Sequence, residues 1–357
     1  MLGSTIINHR QHVGLQKLAA LAGITHSSLG PNKKYKFIQD EASGESALVC
    51  SCFRIFENLE LSCAVGQLVH ETIQAHQKVY HTGSGCLLFL AGAWSRAALE
   101  CLQRGIPVTH IISAMSEGMD ICINVCRKSS VSTEGLDVEP SESFNGKSHA
   151  LGFQLKQRVG HSDSLKLCTW QAAGMEDRFW ACAYRLHHML EDKVLLPGAG
   201  VTEMLCVHHL QREAEKHVKH HRETNRDSAA NPYRGEVLNL MADGLSDYIS
   251  TVMVNTGRFS KVKAMTAVRQ QLHDNNESLD AKFSQLSLEG EEEDSGVSLP
   301  MISSKAPAVK IYDNLSVKQE AWRKALDLVV LVLQTDAEVI TGIDQTSDDT
   351  QEKLIML

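Results

Sequence analysis

The sequence has no dense run of lysine and arginine, and its formal charge is −8, from 35 Lys plus Arg against 43 Asp plus Glu in 357 residues. That balance excludes a general attraction to nucleic acid or to an anionic membrane surface. Long apolar runs are missing too. The longest, Cys86 to Trp94, falls far short of the ~18–20 residues that span a bilayer, so no membrane insertion is expected. The opening "MLGSTIINHRQHVG" lacks a basic region followed by an apolar stretch, and Gly3 is not at the second position. Neither a secretory signal nor N-myristoylation is expected, and the chain reads as cytoplasmic. The ten cysteines fall between Cys50 and Cys206, but Cys50/Cys52 and Cys122/Cys126 lack the Cys-x-x-Cys spacing of zinc or thioredoxin sites. Reduced core thiols are expected instead. No Gly-x-Ser-x-Gly elbow or His-Glu-x-x-His motif occurs, which leaves a hydrolase or zinc enzyme without support.

What is present is an apolar content of 43% beside 22% charged residues, enough for one large globular domain or two ordinary ones. Val13, Leu15, Leu18 and Leu21 fall at near-helical spacing, and Gly30-Pro31 breaks the pattern. Lys36–Asp40 and Ser46–Cys50 flank "EASG" and predict a short hairpin. Apolar periodicity then predicts helices over Ala64–Ile73, Cys86–Leu102 and Pro107–Cys126. From Arg127 the composition turns to Ser, Gly and acids, so 128–175 reads as a linker. Helical periodicity returns at Glu176 in "EDRFWACAYRLHHMLEDK", closed by "VLLPGAG", with His187 and His188 on its rim. Further helices are expected over Val201–His221, Gly235–Asn255 and Lys261–His273, then a disordered acidic loop over 274–307. A last helix, Val317 to Ile340, carries Trp322, Leu326, Val329, Val330 and Leu333 on one buried stripe.

Two motifs raise a functional question. In "HTGSG" a Gly-x-Gly turn runs into the Cys86 helix, and such a turn exposes backbone N–H groups that suit a phosphate. No Gly-Lys-Ser/Thr follows it, so it is not a Walker loop, and a plain helix-starting turn is the simpler reading of the motif alone. His217 and His221 share a helix face at i, i+4, but Lys216 and Lys219 beside them repel a cation and no third ligand is near in sequence.

Several separated stretches together carry a resemblance. "SLGPNKKYKFIQD" (Ser28–Asp40) resembles the Leu-Gly-Pro nucleotide loop and following strand of group II chaperonin subunits. "HTGSGCLLFLAGAW", with "LQRGIPVTHIISAMSEG" after it, resembles their Gly-Asp-Gly-Thr-Thr loop, its helix and the Gly-Ile-x-Pro turn. "LLPGAGVTEMLC" resembles their Pro-Gly-Gly-Gly-Ala-x-Glu segment, and "NTG" (Asn255–Gly257) stands where they have Asn-Ala-Gly. "LLFLAGAW", "MSEG", "DRFWACAYRL" and "YDNLSVKQEAWRKALDLVVLVLQTDAEVITG" are similar to the Bardet–Biedl syndrome chaperonin-like branch. The resemblance covers roughly residues 5–127 and 176–345.

The resemblance implies a mainly α fold: a group II chaperonin equatorial-type helical domain with a small β-hairpin and an intermediate-domain remnant. Its two halves would be 1–127 and 197–357, with the remnant at 176–196. The 128–175 linker would replace an apical domain, being too short for a domain of the usual ~100–150 residues, so the chain resembles a shortened member. Leu29, Gly30, Pro31, Thr82, Gly83, Ser84, Gly85, Gly198, Gly200, Asn255, Gly257 and Asp336 would then line a nucleotide site. Thr82 stands where the family has a magnesium-binding aspartate. "CSCF" (Cys50–Phe53) and "FWACAY" (Phe179–Tyr184) replace two further family aspartates. The implied protein is not an enzyme. No cofactor is certain, and ATP with magnesium would be held weakly through backbone N–H groups. Its implied partners are other Bardet–Biedl chaperonin-like subunits and the CCT/TRiC ring, with subunits of the BBSome as clients, near the base of the cilium. An ATP-driven folding subunit and an inert shortened form are the competing expectations.

Overall fold

The computed structural model describes residues 2–8, 12–39, 44, 46–133, 165–223, 231–275 and 311–344. Of the linker expected over 128–175 and the acidic loop expected over 274–307, residues 134–164 and 276–307 lie outside the described residues, as do the side chains of His217 and His221. The described ends of the linker are not irregular, since Lys128 and Ser129 finish a helix, Val131–Ser132 form a strand and 165–175 are helical. The protein is mainly helical. In chain order the elements are β1 (Leu2–Asn8), α1 (Val13–Thr25), β2 (Lys36–Gln39), β3 (Ser46–Val49), α2 (Cys52–Glu57), α3 (Ala64–Tyr80), α4 (Ser84–Gln103), α5 (Val108–Ser129) and β4 (Val131–Ser132). They continue with α6 (Leu165–Asp192), β5 (Val194–Pro197), α7 (Val201–Glu223), α8 (Arg234–Asn255), α9 (Lys261–Asp274), β6 (Tyr312–Asn314), α10 (Leu315–Gln334) and β7 (Ala337–Asp344).

Helix α4 is the centre. Its sequence is rich in Leu and Ala, which helices accept at little entropic cost, and it is buried around most of its circumference from Leu87 to Cys101. It is long and apolar enough to cross a membrane by length and composition, but 67% of its apolar window is buried against other helices, as in a core helix. α1, α8 and α10 pack around it. A Cβ added at Gly92 would lie 2.3 Å from that of Ala22, so α1 and α4 approach as closely as they do only because position 92 is glycine. Trp94 is fully buried and its indole N–H donates to the Met241 carbonyl of α8 at 3.3 Å. The stripe expected on α10 is in the core: Trp322, Leu326, Val329 and Leu333 are buried and Val330 is partly so. The last helix thus joins the second half of the chain to α4.

The strands differ from the expectation of a single hairpin. β2 and β3 do form an antiparallel pair, Lys36 facing Val49 and Gln39 facing Ser46. A second pair joins the two ends of the described chain, β1 against β7, from Leu2 opposite Asp344 to Asn8 opposite Ala337. The last helix therefore stops at Gln334 rather than Ile340, because "AEVITGID" pairs as a strand. The third sheet, in the order β4-β5-β6, uses "VLLP" as a strand rather than a helix terminator. Helix α6 begins at Leu165, ahead of the expected Glu176, and the six-residue α2 was not anticipated.

Candidate functional site

The Gly-x-Gly turn is built by its neighbours. α3 ends on His81 in the left-handed region (φ 55°), whose N–H donates to Gln77 O at 2.9 Å while the Gln77 side-chain amide donates to His81 O at 2.8 Å. Gly83 follows at φ 89° and opens α4 without any side chain capping the first turn, so its leading N–H groups keep no intrahelical partner. The turn is tied down by His76, which is fully buried and lies with Nε2 2.9 Å from the Thr82 carbonyl. A carbonyl can only accept, so Nε2 carries the proton. Burial pulls His76 down to about 4, which keeps the ring neutral.

The Leu29–Pro31 loop is fixed from α8. The Asn255 amide donates to His26 O at 2.7 Å and to Leu29 O at 3.1 Å, and the Asn32 amide donates to Thr256 O at 3.1 Å. Leu29 lies under Gly85, where an added Cβ would sit 3.0 Å from Leu29 Cδ2. The Gly198–Gly200 turn leads into α7, with Gly198 N–H donating to Ile311 O at 2.9 Å.

These loops meet around one cavity of about 1170 Å³. Of the residues expected at a nucleotide site, Leu29, Gly30, Pro31, Thr82, Gly83, Ser84, Gly85 and Gly200 line it. Four do not. Gly198 backs the wall against Ile311, Asn255 holds the Leu29 loop from behind, Gly257 turns the chain after α8, and Asp336 is exposed beyond α10. The segments read as replacing two family aspartates face the same cavity, through Cys50–Phe53 and through Trp180, Ala181 and Tyr184. Tyr184 stacks on His81 with ring centroids 3.7 Å apart.

The charges of the cavity were not foreseen from the sequence. Lys318 of α10 lies 2.5 Å from Glu203 Oε1 and 2.6 Å from Asp313 Oδ2, with Glu203 only 2% exposed. Burial lowers the Lys318 ammonium, but Asp313 and Glu203 outweigh it and hold it above the usual lysine range. Asp177 is held by Arg54, and Ser51 accepts from Arg54 N–H as the cap of α2. Burial pushes the Cys52 and Cys86 thiols up to about 12, so neither is a thiolate. His188, expected on a rim, is buried with Nε2 3.2 Å from Tyr80 O, whereas His187 is exposed.

This donor set suits phosphate better than metal. Uncapped N–H groups and the cations Lys33, Arg178 and Arg185 face the space. In a phosphate site magnesium takes one or two free carboxylates beside phosphate and water oxygens. Here Thr82 brings no carboxylate to the turn, and Lys318 neutralises Glu203 through Oε1 and Asp313 through Oδ2. Among the described residues no three His, Cys, Asp or Glu side chains are arranged to hold a metal ion. The residues do not fit a magnesium ion.

No family model matches the chain. Curated relatives named Chaperonin-containing T-complex member BBS12 do match. The protein from Xenopus laevis is 54% identical over 114 residues, 32% of this chain. That from Mus musculus is 52% identical over 118 residues (33%) and that from Homo sapiens 47% over 122 (34%). Over about a third of its length the chain is therefore similar to BBS12 chaperonin-like proteins, and the matched part spans 17% of each relative's own length.

Proposed function

We propose that the chain is a chaperonin-like assembly factor that holds partner proteins and does not hydrolyse ATP. In this reading the helices from both ends of the chain form an equatorial-type domain around α4, and part of α6 is what remains of an intermediate domain. Its partners are other Bardet–Biedl chaperonin-like subunits and CCT/TRiC, its clients BBSome subunits, and its place the cytoplasm near the ciliary base. The name of the relatives supports the chaperonin character. The observation that carries the non-hydrolysing part is the cavity itself: the glycine loops are there, but its one buried carboxylate, Glu203, is bound to Lys318 together with the half-exposed Asp313.

Co-precipitation of the tagged full chain from ciliated cells, probed for CCT/TRiC and the other chaperonin-like subunits, tests the assembly role. Recovery of both, unchanged by depletion of ATP, is the expected result. A folded chain that recovers neither contradicts the reading and favours an inert form, while recovery that collapses without ATP favours an ATP-driven subunit.

A further inference from the structure

Besides the exposed Lys78 of α3, three cations line the cavity without an anion. Lys33 follows the Gly30-Pro31 turn, and Arg178 and Arg185 project from α6, two turns apart. Among the described residues none of the three has a carboxylate at salt-bridge distance. The carboxylates that share the lining are engaged elsewhere, Asp177 with Arg54, and Glu203 and Asp313 with Lys318, while Glu71 is exposed. Burial first, and then Arg185 and Arg178, pull the Lys33 ammonium below the usual lysine range. Arg178 and Arg185 are exposed and Lys33 is half-buried, and gathering like charges about a partly desolvated lysine is unfavourable until an opposite charge joins them. The first turn of α4, which reaches the same cavity, adds N–H groups that no side chain caps.

We propose that the cavity binds a multiply charged phosphate ligand without magnesium, with Lys33, Arg178, Arg185 and the α4 N–H groups meeting the charge that a metal would otherwise neutralise. The inference rests on the non-hydrolysing reading above and names the ligand class of that site. Magnesium is not merely unnecessary in this arrangement. It removes negative charge from the ligand and brings positive charge toward three cations, so it opposes binding. Glu203 keeps one oxygen without a partner, which repels an anion and places the ligand on the Lys33 side of the cavity.

Calorimetric titration of the purified full chain with ATP, inorganic tripolyphosphate and adenosine, each in EDTA and in excess magnesium, tests this. ATP is expected to bind in EDTA and to bind more weakly in magnesium, and adenosine is expected not to bind. Equal affinity for ATP and tripolyphosphate assigns the site to the phosphate chain alone; clearly tighter ATP assigns it to a nucleotide, and both outcomes support the proposal. Loss of one charge-assisted hydrogen bond, about 1.5 kcal/mol, is about tenfold in affinity, so Arg185→Gln and Arg178→Gln should each weaken ATP by about that factor, and Arg185→Lys by less. Circular dichroism establishes that each variant is folded, and a fall of affinity with salt is expected in the wild type and a shallower fall in the variants. Binding that requires magnesium, or that is unchanged in folded Arg178→Gln and Arg185→Gln, overturns the proposal. Hydrolysis of ATP would instead overturn the non-hydrolysing reading and leave metal-free binding standing.

Discussion

Lys318→Met is the most informative single change in the body of the protein. The lysine side chain is 9% exposed and binds Glu203, 2% exposed, and Asp313, 39% exposed. Methionine keeps the length and apolar stem but removes the charge, leaving Glu203 buried with neither oxygen paired. Removing one partner of a buried ion pair costs about 3–5 kcal/mol. Against the ~5–15 kcal/mol of a typical domain that is a large loss. Adding Glu203→Gln neutralises the stranded group. The double variant should then be more stable than the two single losses predict, by about 1 kcal/mol or more. Urea denaturation followed by the fluorescence of buried Trp94 and Trp322 reads all four proteins. A single-variant loss below about 1 kcal/mol, or strict additivity in the double, would refute the assignment of the triad as a buried, mutually dependent network.

Three further outcomes follow from named contacts. His76 stays neutral when folded, because burial lowers it from 6.5 to about 4, while the unfolded ring takes up its proton near 6.5. Its contribution is complete above pH 6.5 and is lost as pH falls toward 4, about 3 kcal/mol at about 1.4 kcal/mol per pH unit; urea midpoints across that window should fall in the wild type and much less in His76→Leu. Leu326→Ala removes a core side chain 5% exposed and should cost ~2–5 kcal/mol by thermal or urea denaturation, and an unchanged midpoint would mean that α10 is not a core helix. Gly83→Ala places a Cβ at φ 89°, 2.9 Å from both His76 Nε2 and Val317 Cγ1, and Gly257→Ala at φ 83° meets nothing within 4 Å; the second should cost only the ~1–2 kcal/mol of the backbone and the first clearly more.

The helices were legible because apolar periodicity decides them, as in α10, where Trp322, Leu326, Val329 and Leu333 fall on one stripe. The terminal strands were not: "AEVITGID" continues an apolar helix in sequence, and only its pairing with Leu2–Asn8 makes it a strand. The Gly-x-Gly turn alone read as a plain helix start, and only the resemblance grouped it with the Leu29–Pro31 and Gly198–Gly200 loops. The cavity's charges were not legible, because Lys and Glu are rarely buried unless paired. Yet Lys318 precedes Trp322, Ala325 and Val329 at i+4, i+7 and i+11, and Glu203 stands likewise to Val207, Leu210 and Ala214. His76 sits three residues after Ile73 and seven after Val69, both buried. A charged or imidazole side chain inside an apolar stripe was the signal that could have found all three.

The central claim is that the cavity retains the loops of a nucleotide site without the chemistry of hydrolysis. A single-turnover assay with radiolabelled magnesium-ATP and excess purified full chain tests it most directly. Thr82 and Cys50–Phe53 bring no carboxylate to the glycine loops and Lys318 occupies Glu203, and a positioned base alone is worth ~10²–10⁴ in rate. The account predicts phosphate release no faster than in buffer, in the wild type and in Lys318→Met alike. Release at the rate of an active chaperonin subunit, abolished by a substitution that closes the cavity such as Gly85→Val, would contradict it.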